Sequence, residues 1–515
     1  MDTKNILKCK PLTESPESYW IDSTSSKAYP PLAEDINVDV AIIGGGIAGI
    51  TTGYLLKKQG LRVAIIEASR ILHGTTGHTT AKITSQHGLI YNKIKKNLGH
   101  DMAMQYADAN ESAIKFIENT INENKIDCDF EMQASYIYTK DEKYAKKIQD
   151  EVETASELGI NASYLESIPL PFSILSAVKF DNQAQFHPLK YLFSLSQQIP
   201  DGKSYIFENT RAIDIKRGTK LSVIAENGSK VNADSVVIAS HYPFYNMEGF
   251  YFARMYPERS YVLGIKINEN YPGGMYISAE DPTRSLRSQK INGSEMILLS
   301  GEHHKTGQGP STMRHYEDLR DFACTTFNVE DILYRWSTQD CMTLDGIPYS
   351  GHYKSSTPNI YVATGFGKWG MTNSTASALI IRDLITKGES EYMDVYSPSR
   401  TSIAASAKNF VVENANVAKQ LISGKLETPQ DDVEIKPDEA KVITANGKKT
   451  GAYRDKEGIL HLCDTTCTHM GCELKWNDAE ETWDCPCHGS RFTIDGKIVE
   501  GPALKPIKNE IRSQN

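Results

Sequence analysis

The sequence predicts an α/β body on a largely parallel sheet over residues 36–423, followed by a small separate domain built around a metal centre over 439–515. Three observations carry this reading. A β-branched run, a glycine-rich turn and a helix follow one another at 38–59, and the same order returns at 359–386. Beyond a polar stretch broken by prolines, five cysteines (Cys463, Cys467, Cys472, Cys485, Cys487) fall within 25 residues.

The first element is the unbroken run Val-Asp-Val-Ala-Ile-Ile at 38–43, a buried strand. Gly44, Gly45, Gly46, Ile47, Ala48 and Gly49 form the turn, and a helix runs on to Gln59, where Gly60 stops it. Residues 62–67 (Arg-Val-Ala-Ile-Ile-Glu) are a second strand, so 38–67 is one right-handed βαβ unit. Residues 1–35 read as an arm with little regular structure. The pattern at 100–160 is helical and charged, 202–240 alternates as strands, and 245–340 is aromatic and β-rich, a second sheet. Residues 359–364 give another buried strand, closed by Gly365, Phe366, Gly367, Lys368, Trp369 and Gly370, with Met371 leading into a helix at 372–386. The stretch 424–438 carries two prolines and no periodicity, and is the expected linker.

Composition narrows the function. At 515 residues the chain needs two or more domains, and 40% apolar with 23% charged residues is the balance of folded proteins. A net charge of -9 and a pI near 5.9 argue against nucleic acid and anionic lipid as partners. No window approaches the roughly 20 apolar residues of a membrane span, and residues 1–10 lack an apolar core, so a cytoplasmic location is expected. In that setting a cysteine group points to metal rather than a disulfide framework.

The glycine turn has the context of a dinucleotide site. Gly44 permits the tight turn, Gly46 lets a diphosphate approach the backbone, and Gly49 lets helix and strand pack closely. The helix N-terminus supplies free N–H groups, and Glu67, 23 residues after Gly44, can accept from ribose hydroxyls. This unit alone leaves FAD and NAD open. Gly74 and Thr75, in the segment that ends at His78, together with the late turn at 365–371, favour the larger cofactor. A second helix N-terminus there could face the pyrimidine edge of a flavin.

On Gly44 to Gly49, Glu67, the Asp-Gly-Ile-Pro of 345–348 and residues 364–371, the chain from about 18 to 383 resembles the FAD-dependent amino-acid and amine oxidoreductases typified by D-amino-acid oxidase, glycine oxidase and sarcosine oxidase. The resemblance implies a Rossmann-like FAD-binding body, with FAD segments near 36–100, 180–245 and 340–390 and an inserted α+β substrate subdomain between them. It also implies hydride transfer from a C–N bond to flavin N5. Residues 74–78 resemble the Gly-Thr-Thr-Trp-His segment of dimethylglycine and sarcosine dehydrogenases, whose His bears the flavin. His78 is therefore a candidate attachment point, but Gly77 replaces the Trp, so a polar contact beside the cofactor is the expectation and covalent attachment the alternative. Arg254 and Tyr261 are the candidate carboxylate clamp and cover for a small amine or amino-acid substrate, with a surface salt bridge as the alternative for Arg254. His303 and His304, in a polar stretch, are expected in a loop rather than at a metal.

Cys467 and His469 are spaced by one residue, Cys485 and His488 by two, and fifteen residues separate the pairs. A Cys2His2 zinc site usually keeps its cysteines together and its histidines together, whereas each loop here gives one of each. A cluster with two thiolates on one iron and two imidazoles on the other needs this arrangement. The pattern resembles Rieske [2Fe-2S] proteins, which implies a small all-β domain, Cys467, His469, Cys485 and His488 as ligands, and a disulfide between Cys472 and Cys487. It further implies a shielding proline loop at 501–503 and a hydrogen bond from Ser490 to sulfur, while Phe492 stands where a tyrosine donor is found. The potential is therefore expected below the top of the range of about -150 to +300 mV. Cys463 fits no ligand position and reads as a packed thiol. Together the halves predict a dehydrogenase that takes electrons from an amine through FAD and the [2Fe-2S] cluster to an unidentified acceptor. Its rivals are an oxygen-using oxidase with a structural cluster, and a redox sensor or carrier without turnover.

Overall fold

The computed structural model describes residues 11–512 except 14, 246–247, 292, 401–402, 430–433 and 446. The first ten residues of the expected arm and the middle of the expected linker lie outside the described residues.

A six-stranded sheet forms the centre, in the order Tyr349–His352, Ile360–Thr364, Ser235–Ile238, Val40–Ile43, Val63–Ile66, Tyr205–Phe207. Every pairing is parallel except that of the first two strands. The apolar runs follow from burial on both faces. Val40, Ile42, Val63 and Ile65 pack into the core that includes helices Ile47–Lys58 and Gly370–Lys387. Ala41, Ile43, Ala64 and Ile66 pack on a small four-stranded sheet through Ile215, Val223 and Val231. Gly44 takes φ +108°, and a Cβ on Gly49 would lie 1.8 Å from the Gly44 carbonyl oxygen, so strand and helix approach as only glycine allows.

A nine-stranded sheet stands beside this body, dominated by the long strands Met255–Ile267, Ser294–Lys305 and Val329–Thr343. It also takes Lys82–Ile83 and Ser176–Gln185, so the segments 36–100 and 180–245 each give residues to the large sheet. The span 100–160 holds helix His100–Asn124, strand Glu131–Thr139 and helix Glu142–Glu157, not helix alone. Helix Thr312–Thr326 interrupts the β-rich 245–340. His303 and His304 lie at the end of strand Ser294–Lys305, not in a loop, because His304 and Lys305 still pair with strand Met255–Ile267. Helix Ile403–Leu426 extends past residue 424, so the expected linker begins inside a helix.

The C-terminal domain is all-β. Two four-stranded antiparallel sheets, one running from Glu439–Ala445 to Asn509–Arg512 and the other from Lys475–Asn477 to Ile498–Glu500, enclose Cys463, Leu474, Trp483, Phe492 and Ile507. Val417 and Leu421 of helix Ile403–Leu426 cover this core. The two domains meet face to face. Gln339 Nε2 donates to the Gly489 carbonyl at 2.9 Å, Gln308 Nε2 to that of Pro486 at 2.9 Å, and the Thr312 N–H to Asp478 at 2.8 Å. Arg259, 1% exposed, lies 3.3 Å from Glu480, 3.9 Å from Asp484 and 3.6 Å from Glu500, all three carboxylates also held by Arg491. Among the described residues, no helix is long and apolar enough to cross a membrane.

Candidate active site and iron-sulfur centre

A cavity of about 710 Å³ opens on the glycine turn and runs to the C-terminal domain. Gly44, Gly46, Ile47, Ala48, Glu67, Gly74, Thr75 and His78 line one part, and Phe366, Gly367, Lys368, Trp369, Gly370 and Met371 another. Gly45, Gly49 and Gly365 stand behind the wall. The Gly45 N–H donates to Glu67 Oε2 at 2.8 Å, and the Ser69 N–H to Oε1 at 2.9 Å. Burial pushes the Glu67 carboxyl up while these N–H groups hold it back. A side chain on Gly46 would fill the approach to the turn beside Thr76 Oγ1. His241 Nε2 and the Tyr242 hydroxyl, both on residues lining the cavity, are buried without a hydrogen-bond partner. A glycine cradle, a carboxylate at the end of the second strand and unmet polar atoms fit a bound dinucleotide.

His78 is half-buried, its Nδ1 2.8 Å from the Gly74 carbonyl oxygen, and burial lowers its pKa. Arg254 and Tyr261 do not line the cavity. Arg254 donates to the Pro398 carbonyl at 2.6 Å and lies over the Tyr349 ring at 4.2 Å. Tyr261 is fully buried, its hydroxyl 2.9 Å from His304 Nε2 and its ring against His315 and Tyr316 of helix Thr312–Thr326. Its neighbours Ser260 and Val262 face the cavity, so alternation along Met255–Ile267 turns Tyr261 to the other side. The clamp and cover expected of these two residues are therefore withdrawn.

Sequence reasoning missed several residues of the wall. Lys82 pairs with the Ser285 hydroxyl, and burial, with Arg287 nearby, lowers its ammonium to about 7. Burial raises Asp340 to about 7. His241 and Tyr242 follow the strand Ser235–Ile238 at its C-terminal end, where open α/β sheets place ligands, and that position was the available signal. The C-terminal domain adds Glu480, Arg491 and residues 498–504, so one cavity touches both domains.

The metal centre is built on two loops. The Cys467 N–H donates to the Cys472 carbonyl at 2.8 Å, and the Gly489 N–H to that of Cys485 at 3.0 Å, closing each loop on itself. A disulfide joins Cys472 to Cys487, with Cα atoms 6.5 Å apart. Cys467 and Cys485 meet thiol to thiol. That contact, together with the His469 and Met470 N–H groups and the Ser490 hydroxyl, draws the Cys467 thiol down against its burial. The rings of His469 and His488 are 5.0 Å apart and perpendicular, and burial keeps both neutral, at about 4 and about 3. His488 Nδ1 is buried without a partner. Two thiols together, two neutral imidazoles together and an unmet nitrogen are a donor set for a mixed Cys/His cluster. Ser490 Oγ accepts from the Ala503 N–H at 3.0 Å, tying the loop at 501–503 to the centre.

Fold and site define a flavin oxidoreductase carrying its own iron-sulfur domain. Residues 39–384 match the FAD dependent oxidoreductase family and 428–510 the Rieske [2Fe-2S] domain, and the chain belongs to that oxidoreductase family. It is 48% identical over 496 residues, 96% of this chain and 97% of the relative, to the putative Rieske 2Fe-2S iron-sulfur protein YhfW of Bacillus subtilis (strain 168). It is 22% identical to gamma-glutamylputrescine oxidoreductase of Escherichia coli (strain K12), covering 75% of this chain and 92% of that one. The fold matches glycine oxidase from Geobacillus kaustophilus with a TM-score of 0.60 at 18% identity, over 71% of this chain and 99% of that one. FAD and a [2Fe-2S] cluster are its cofactors.

Proposed function

We propose that this oxidoreductase is a dehydrogenase, which oxidises a C–N bond of a small amine or amino acid and delivers the electrons through the Rieske domain to a separate acceptor. One observation carries the reading: residues 498–504 of the Rieske domain form a wall of the same cavity that opens on the glycine turn. Relatives named for glycine and gamma-glutamylputrescine support the substrate class. FAD supplies hydride acceptance and the cluster one-electron transfer.

The chain's own residues provide the rest. Gly44, Gly46 and the N–H group of Ala48 would receive the diphosphate, and Glu67 would accept from ribose. The N-terminus of Gly370–Lys387 faces the ring end of the cavity. Cys467 and Cys485 would hold one iron, and His469 and His488 the other. Lys82 replaces Arg254 as the cation for a substrate carboxylate: buried beside Ser285, it regains its full charge when an anion arrives.

The test is anaerobic addition of amines and amino acids to the purified holoprotein, followed by flavin absorption and low-temperature EPR. A substrate that bleaches the flavin and produces the reduced-cluster signal supports the proposal. Flavin reduction that oxygen reverses while the cluster stays oxidised makes the protein an oxidase with a structural cluster. If no amine reduces the flavin, it is a sensor or carrier.

A further inference from the structure

We propose that two buried indoles, Trp20 of the N-terminal arm and Trp336 of strand Val329–Thr343, hold the backbone at 78–80 as a carboxylate cradle, in which the N–H groups of Thr79 and Thr80 receive the substrate carboxylate beside Lys82. The inference rests on the reading of Lys82 as the carboxylate cation, and adds the neutral donors and what positions them. Each carbonyl from Gly77 to Ala81 is claimed from behind by a side-chain donor. Ser18 Oγ donates to that of Gly77, Trp336 Nε1 to that of His78 at 2.8 Å, and Trp20 Nε1 to that of Thr79 at 2.7 Å. Arg287 Nη1 donates to those of Thr80 and Ala81 at 3.2 and 2.9 Å. Trp20 and Trp336 are 0% and 1% exposed. Ala81 takes φ +56°, a left-handed conformation that a non-glycine residue keeps only where its surroundings impose it.

A trans peptide points its N–H opposite to its C=O. The indole on the His78 carbonyl therefore turns the Thr79 N–H away from itself, and the indole on the Thr79 carbonyl does the same to the Thr80 N–H. Thr79 and Thr80 line the cavity and neither indole does, so the far side is the cavity. Among the described residues nothing accepts from either N–H, whereas the next one along, that of Ala81, is met by Thr79 Oγ1 at 3.0 Å. The charge around these donors calls for an anion. Lys82 lines the same cavity two residues on, and its ammonium rests on the Ser285 hydroxyl rather than on a carboxylate. Arg287, 1% exposed, is spent on carbonyls and on Gln289, and neither cation makes an ion pair among the described residues. A buried guanidinium beside an ammonium, with no carboxylate on either, leaves this end of the cavity positive. A carboxylate has two oxygens, one for the ammonium and one for the pair of N–H groups.

The probe is acetate, a carboxylate with no C–N bond to oxidise, titrated at constant ionic strength into the holoprotein and followed by the flavin difference spectrum. Wild type should give a saturable shift that Lys82→Met abolishes. Trp20→Phe keeps a buried ring but removes the N–H that fixes the Thr79–Thr80 peptide. The acetate dissociation constant should then rise about tenfold, the scale of one hydrogen bond to a charged group, while the flavin-to-iron ratio and the cluster EPR signal stay as in wild type. Trp336→Phe frees the neighbouring peptide and should weaken acetate likewise, and it takes the place of Trp20→Phe should that variant lose both cofactors. An unchanged constant in the indole variants, with Lys82→Met still abolishing the shift, overturns the cradle and leaves the Lys82 reading in place. A wild type without a saturable shift, or a Lys82→Met variant that binds as wild type does, removes both. A Trp20→Phe protein that keeps its cluster but loses FAD also overturns the proposal, since the N–H groups then serve the cofactor.

Discussion

Arg259→Met tests what holds the two domains together. The guanidinium is 1% exposed and approaches Glu480, Asp484 and Glu500 across the seam. Its Nε and Nη2 have no hydrogen-bond partners, so the approaches to Asp484 and Glu500 at 3.9 and 3.6 Å act through charge alone. Methionine roughly fills the volume but leaves three carboxylates, Asp484 buried and Glu480 and Glu500 half-buried, on Arg491. Breaking a buried ion pair from one side costs about 3–5 kcal/mol, and because Arg491 still holds all three carboxylates, the lower end, about 3 kcal/mol, applies. The assay is urea unfolding of the holoprotein, with the Rieske domain followed by the visible circular dichroism of its cluster. For a slope of about 1–3 kcal/mol/M, the cluster transition should move down by about 1 M or more. A midpoint within a few tenths of a molar of wild type would refute the reasoning and place the docking energy in the backbone contacts of Gln308 and Gln339.

Gly49→Ala should yield protein that keeps its cluster but loses FAD, since the new Cβ would lie 1.8 Å from the Gly44 carbonyl oxygen; a flavin-to-iron ratio equal to wild type refutes this. Burial works to raise Glu480, yet Arg259, Arg491 and the Ser337 hydroxyl hold it at about 2, below its ordinary value of 4.5. The resulting stabilisation, roughly 3 kcal/mol, is therefore complete above about pH 5 and drains away as pH falls toward 2. The cluster midpoint in urea should drop over that interval, and a flat profile between about pH 5 and 3 counts against it. Acid precipitation should release FAD into the supernatant, with His78 acting as a polar contact; yellow colour retained in the washed pellet would make His78 an attachment point.

The chemistry-bearing motifs were legible because each is local. A strand, three spaced glycines and an acid define the cradle at Gly44 to Glu67, and two short Cys/His loops define the metal centre. Side-chain facing was not legible where it depends on a distant partner. Tyr261 reads as an aromatic in a β-rich stretch, and only the packing of helix Thr312–Thr326 shows which face of the sheet is core. His303 and His304 look like loop residues by composition, yet they close a long strand, where His304 pairs with Arg259 of strand Met255–Ile267. Helix Ile403–Leu426 went unseen because Val411, Ile422 and Leu426 stay exposed while Val417 and Leu421 are covered, which blurs the helical period. Lys82 carries no signature at all, since its position beside Ser285 is created by strands two hundred residues apart in sequence.

Gly489 has φ +79°, and a Cβ there would stand 2.7 Å from that of Pro257, so the Rieske loop sits on the oxidoreductase domain backbone against side chain. On the proposed reading, this seat replaces a collision with a permanent address. The first handover of electrons would be unimolecular, indifferent to dilution and little affected by salt, because its two partners are never at less than full effective concentration. Only the second handover, to the outside acceptor, would depend on how often molecules meet.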